Sequence, residues 1–163
     1  MNRRRRLFLA ILPAAVAGCG FELRRTPELR FHNIALVGFE PRSPLADELR
    51  RALTDANVQV LDNPAQAELV LEVLGDVRER SVVASTAAGQ VRQVQLRQRL
   101  NFHVHTGKGR ELIPAADIAL WRDMSYSETV ALAKEQEEAL LFRAMRSDIV
   151  AQLMRRLAAL QAP

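Results

Sequence analysis

Residues able to do covalent, metal or acid–base chemistry fall in three places along the chain. Cys19, within AVAGCGFELRR (15–25), is the only cysteine. It has no second thiol for a disulfide, and no histidine or acidic cluster beside it to make a nucleophile or a metal ligand. An attachment point is the role that remains. His103-Val104-His105 is the second place. Two imidazoles spaced by two on a strand face one way, as a metal site requires. The only other histidine is His32, so a third ligand has to be a distant carboxylate. The pair reads more simply as part of a solvated or partner-facing strand, with no metal. The third place, Glu135, Glu137 and Glu138, reads as a helix face rather than an acid/base pair. G-x-S-x-G, phosphate-binding glycine loops and H-E-x-x-H are all missing from the sequence. The residues therefore argue for neither an enzyme nor a bound cofactor.

The surroundings of Cys19 explain an attachment point. Arg3 to Arg6 form a positive start, Leu7 to Val16 a short apolar run, and Ala17-Gly18 a small-residue exit. A membrane-spanning helix needs about 20 apolar residues, so this pattern is a secretory signal. VAGC (16–19) resembles the lipobox of bacterial lipoprotein signals, which implies a cut before Cys19 and lipid on its sulfur. Several acyl chains anchor stably, each buried CH₂ contributing about 0.8 kcal/mol.

Removal of residues 1–18 also resets the electrostatics. The full chain has 23 basic and 19 acidic residues, a formal +4. Taking away the four signal arginines leaves 19 against 19, so the remaining chain is formally neutral. Without a basic excess to displace counterions, nucleic acid is not expected as a partner. Only two of the basic residues are lysines, Lys108 and Lys134. At i,i+4 spacing, Lys134 has Glu138 as its expected helical partner.

The elements that must position these residues form one domain, expected over 30–160 after a lipidated tether at 19–29. NIALVGF (33–39) has strand character. Ser43-Pro44 is a helix start, with Leu45, Leu49 and Leu53 at helical spacing. VQVL (58–61) is a short strand. ELVLEVLGDVRERSVVAS (68–85) turns at Ala87-Ala88-Gly89-Gln90 into VRQVQLRQRLNFHVHT (91–106), which alternates strictly. Val94, Leu96, Leu100, Phe102 and Val104 share one face, interrupted only by Gln98. Gln93, Gln95, Arg97, Arg99, Asn101, His103 and His105 share the other. IALWRDMSY (118–126) is a further strand, with Trp121, like Phe102, expected in the core or at an interface. From Glu128 the period turns helical, with Phe142, Met145, Ile149, Leu153, Leu157 and Leu160 in a stripe. The expected fold is α+β: two helices on a small mixed, mostly antiparallel sheet, in β-α-β-β-β-α order.

GCGFELR (18–24), the hairpin GQVRQVQLRQRLNFHV (89–104) and RDMSYSETVALAKEQEEALL followed by MRSDIVAQLMRRL (122–157) together resemble the LPS-assembly lipoprotein family, LptE. That resemblance implies a lipoprotein at Cys19, held in the inner leaflet of the outer membrane and facing the periplasm. It implies a plug within the β-barrel partner LptD, with lipopolysaccharide bound during its insertion into the outer leaflet. Gln93, Gln95 and Arg99 then face the barrel. Lys134 matches the family's LAK lysine and takes an LPS-binding role, with Arg92 and Arg97 as further candidates. Ala87 departs from the family, which can carry a basic residue there. The rivals are an adaptor or pilotin for a different barrel without lipopolysaccharide binding, and a periplasmic metal enzyme built on His103 and His105.

Overall fold

A computed structural model describes residues 29–160. The signal segment, Cys19 and nearly all of the tether lie outside the described residues. The elements are β1 (Asn33–Val37), α1 (Pro44–Asp55), β2 (Gln59–Leu61), β3 (Leu69–Ser85), β4 (Val91–Thr106), β5 (Glu111–Ser125) and α2 (Ala131–Ala158). Short 3-10 turns occupy Pro64–Gln66 and Glu128–Val130. The order is the β-α-β-β-β-α expected from the sequence.

One five-stranded sheet runs β2-β1-β3-β4-β5. β1 is parallel to both its neighbours, while β3, β4 and β5 form an antiparallel meander. Local chemistry sets the boundaries. Ser43 Oγ accepts the Ala46 N–H at 3.3 Å, and Pro44 opens α1. The β3–β4 turn uses Gly89 at φ +78°, as its glycine suggested. Gly38, at φ +80°, lets the chain leave β1 against β3: a Cβ there would lie 2.2 Å from the Val73 carbonyl oxygen.

Both helices pack on one face of the sheet. Leu100, Phe102 and Val104 of β4 meet Leu45, Leu49 and Leu53 of α1 and Ile149, Leu153 and Leu157 of α2, all fully buried. A second cluster joins Val94, Leu96 and Met124 to Met145. Burying a side chain of this size contributes about 1.5–3 kcal/mol. Between the clusters lies Gln98, 0% exposed, whose amide nitrogen reaches Asp76 Oδ1 at 3.4 Å. The one polar interruption of the apolar face is thus a buried residue at the seam of the core.

The main boundary differences from expectation lie in β1, β5 and α2, with one-residue shifts at β2 and β3. β1 stops at Val37, and α2 begins at Ala131 after a 3-10 turn. β5 begins at Glu111, seven residues before Ile118. Its first half carries Pro114, which sits where two β5 residues oppose His103 alone. Such a bulge on an edge strand accommodates a residue without an N–H.

A further bulge re-aims β3. Val73 pairs with Phe102 and Gly75 with Asn101, so Leu74 is the extra residue. One inserted residue exchanges the two faces of a strand. Before it, Leu69, Leu71 and Val73 point into the core; after it, Asp76, Arg78 and Arg80 point to the helix side. Leu74 and Val77 are left exposed. From Leu74 to Ser85 no residue of β3 is fully buried, so beyond the bulge only the β4 arm of the hairpin, through Val94 and Leu96, contributes to the core.

Candidate functional site

Four arrangements on this frame can do chemistry. The largest is the face of the meander that neither helix covers. Its rows are set by strand register: Glu79, Arg97 and Trp121; Val77, Arg99 and Ala119; Ser81, Gln95 and Asp123. Gln95 Nε2 donates to Asp123 Oδ1 at 3.0 Å, and Arg99 Nε lies 3.8 Å from Asp117 Oδ2. Gln93, Gln95, Arg97 and Arg99 all stand here, next to Trp121, 59% exposed. Exposed pairs of this kind hold little energy, so the groups can exchange them for an incoming surface.

Lys134 sits near the hairpin end of the sheet. Its ammonium donates to Glu137 Oε2 at 2.8 Å and Ser125 Oγ at 3.2 Å, and the side chain is only 17% exposed. The expected partner Glu138 is corrected to Glu137. Arg80 Nε already holds Glu138 at 3.1 Å, which leaves the i+3 carboxylate to Lys134. Ser125 lines a shallow cavity of about 190 Å³ with Arg92, Gln93 and Asp123. Ser125 thus bonds Lys134 and shares this cavity with Arg92. Arg97 stands apart, with Val77, Glu79 and Arg99.

The third arrangement was missed in the sequence. A groove of about 720 Å³ lies between β3 and α2, lined by Arg78, Arg80, Arg143, Arg146, Tyr126 and Phe142, with Glu135 and Glu138 at its wall. Arg78 stacks over the Phe142 ring at 5.9 Å and Arg80 over Tyr126 at 5.2 Å. Guanidinium groups beside aromatic rings suit a ligand that carries both phosphate and apolar parts. The signal was present in Arg78-Glu79-Arg80 and in Arg143 and Arg146 one helical turn apart. The Leu74 bulge that turns the first pair towards the second was not.

Glu48 of α1 closes the far end of this region. It accepts from Arg146 Nε at 2.6 Å and from the Ser147 hydroxyl. Burial raises its pKa, but the bonds from Ser147 and Arg146 and the charges of Arg146 and Arg51 outweigh this, holding the carboxyl below its ordinary 4.5.

The fourth arrangement is the histidine pair. His103 and His105 project from β4 onto the uncovered face, and Glu72 of β3 is the register partner of His103. His103 Nε2 lies 2.8 Å from Glu72 Oε2, and His105 Nε2 lies 4.0 Å from the same oxygen. The carboxylate, distant in sequence, is supplied by strand pairing. Among the described residues no helix is long and apolar enough to cross a membrane.

A family model described as "LptE: Lipopolysaccharide-assembly" matches residues 31–157. The chain is 32% identical to the LPS-assembly lipoprotein LptE of Yersinia enterocolitica, covering 94% of this chain and 76% of that protein. It is 29% identical to the protein of the same name from Pectobacterium atrosepticum, over 94% and 86% respectively. Among solved structures it is similar to an uncharacterized lipoprotein B from Nitrosomonas europaea. The TM-score is 0.74 at 25% identity, over 86% of this chain and 91% of the other. The rare lipoprotein B from Shewanella oneidensis gives 0.68 at 26%, over 78% and 95%.

Proposed function

Because the chain belongs to the LptE family of lipopolysaccharide-assembly lipoproteins, we propose that it works as a non-enzymatic plug and support of the LptD β-barrel. In that role it binds lipopolysaccharide on the way to the outer leaflet of a Gram-negative outer membrane. Cys19 carries the lipid that holds it in the inner leaflet, on the periplasmic side, after removal of residues 1–18.

The observation that carries this proposal is the uncovered face of the meander. A sheet that exposes Gln93, Gln95, Arg97 and Arg99 in register, with Trp121 among them, is built to lie against another polar wall. The interior of a large outer-membrane barrel is such a wall, polar and wet. Helices on the opposite face keep the apolar core closed without using this face.

Lipid A phosphates take charge-assisted bonds from Lys and Arg. Lys134 and Arg92 supply them at the hairpin end. The groove of Arg78, Arg80 and Arg143 supplies a second basic contact, which the family pattern puts near position 87 and Ala87 does not provide. Arg97, on the barrel-facing side, belongs with the plug contacts.

Purification of the tagged, lipidated protein from its own membranes in mild detergent tests this, with co-purifying protein and lipid identified by mass spectrometry. A stoichiometric LptD-type barrel with retained lipopolysaccharide is the expected result. A different barrel without lipopolysaccharide would replace the proposal with an adaptor for another assembly.

A further inference from the structure

We propose that Glu72, His103 and His105 form a binding site for a divalent transition cation of the zinc class, on the uncovered face of the sheet. One ligand atom from each of the three lies within 4.8 Å of the others. Two imidazoles and a carboxylate are a donor set that zinc accepts, with a further position left open.

The geometry suits an ion. Metal–ligand bonds of about 2.1 Å at tetrahedral angles put neighbouring donor atoms about 3.4 Å apart. The observed separations from Glu72 Oε2, 2.8 Å and 4.0 Å, lie on either side of that value. A plain hydrogen bond accounts for His103 with Glu72 but not for His105, whose Nε2 is beyond hydrogen-bond reach of that oxygen.

The second histidine is oriented by other means. His105 Nδ1 lies 2.8 Å from the backbone carbonyl of Thr106. A carbonyl only accepts, so Nδ1 carries the hydrogen, and the Nε2 lone pair is left facing His103 and Glu72. Fixing the outer nitrogen through a backbone carbonyl is how proteins set histidine ligands. The two rings meet edge to face, with centroids 5.4 Å apart at 72°. Both ride on a central strand whose intervening Val104 is fully buried, so the backbone beneath the site is fixed. The three side chains remain partly exposed, which gives an ion its way in.

On binding, the ion takes the place of the proton between His103 Nε2 and Glu72, and that proton passes to solvent. Nitrogen ligands favour zinc, copper or nickel, and disfavour magnesium and calcium, which require oxygen donors. The site is thus chemically distinct from any magnesium that accompanies lipid phosphates.

The full-length lipidated protein in detergent, stripped with chelator, is titrated with Zn²⁺ by calorimetry and separately with Co²⁺ by visible absorption. Uptake of one Zn²⁺ per chain, cobalt d–d bands and indifference to excess Mg²⁺ are expected. His103→Gln, His105→Gln and Glu72→Gln should each weaken Zn²⁺ at least ~tenfold. His32→Gln, which disrupts the other histidine–carboxylate pair at 3.6 Å from Glu68, should leave it unchanged. A zinc-dependent rise in the melting temperature, present in the wild type and lost in His105→Gln, separates lost binding from lost folding. Absence of zinc uptake by the wild type, or uptake that follows His32 instead of the β4 pair, would overturn the site. Neither outcome depends on whether the protein plugs a barrel.

Discussion

Arg146 and Glu48, 98 residues apart in the chain, meet with their charged atoms 2.6 Å apart between α2 and α1. The Ser147 hydroxyl bonds the other oxygen of the same carboxylate. One acidic side chain thus ties together the two helices that cover the sheet. Hydrogen bonds to a charged group contribute about 1.5–3 kcal/mol, so Glu48→Gln should lower unfolding free energy by an amount in that range at pH 7. Urea denaturation of both proteins measures it; a difference near zero would mean the pair only decorates the surface.

The same carboxylate gives a pH dependence. Its folded pKa lies below the ordinary 4.5, so the folded state binds its proton less tightly than the unfolded chain does. The stabilisation is complete above about pH 4.5 and is lost as pH falls through the lower folded value. The stability gap between wild type and Glu48→Gln should therefore narrow on acidification below pH 4.5. A gap that widened would contradict the assignment.

Gln98 is the internal counterpart of this clamp. Its Oε1 is buried with no hydrogen-bond partner among the described residues, while Nε2 makes only a long bond to Asp76. An apolar side chain of similar size would join the two clusters it now separates. Gln98→Leu should raise stability by about 1 kcal/mol, seen as a higher urea midpoint at unchanged slope. Destabilisation instead would show that the Asp76 bond matters more than the orphaned oxygen.

Reversing the charge at Lys134 probes the lipid side of the proposal. Lys134→Glu would face Glu137 across the present 2.8 Å contact and remove the cation bound to Ser125. Retention of lipopolysaccharide in the purified complex should fall several-fold while barrel capture persists. Unchanged lipid would move the phosphate site to the Arg78 and Arg80 groove, where Arg80→Glu is the corresponding variant.

The uncovered face should respond in the opposite sense. Arg97→Glu together with Trp121→Ala alters two residues in one register row without touching the core. Barrel capture should drop, lipid affinity of the isolated protein should stay within about twofold, and the melting temperature should hold, because exposed substitutions cost little. Full capture by this double variant would place the barrel contact elsewhere on the molecule.

The parts of the fold readable from sequence were those with a clean period. β4 alternates with Gln98 as the one interruption, and Val94, Leu96, Leu100, Phe102 and Val104 on its inner face are all fully buried. α2 places Met145, Ile149, Leu153 and Leu157 at three-to-four spacing, and these are its best buried residues. What escaped were features made by irregularity. The Leu74 bulge reverses the faces of β3, so Val77 is outside and Arg78 and Arg80 line a groove. The bulge at Pro114 hides the first half of β5. The pairing of Glu72 with His103 follows from the β3–β4 register, 31 residues apart, which neither strand states alone. Of the candidate binding residues, the outward row on β4 was legible because strand period dictates it; the Lys134–Ser125 contact was not.

The position of α2 in the chain imposes an order in time. Four of the residues that seal the sheet, Met145, Ile149, Leu153 and Leu157, are supplied by the last element among the described residues. A chain delivered N-terminus first across a membrane exposes β1 through β5 before any of these side chains arrives. The sheet then has only the cover of α1, and Val94 and Leu96 of the hairpin still lack Met145. For a chain that crosses a membrane in that direction, the core can close fully only once the final helix has arrived.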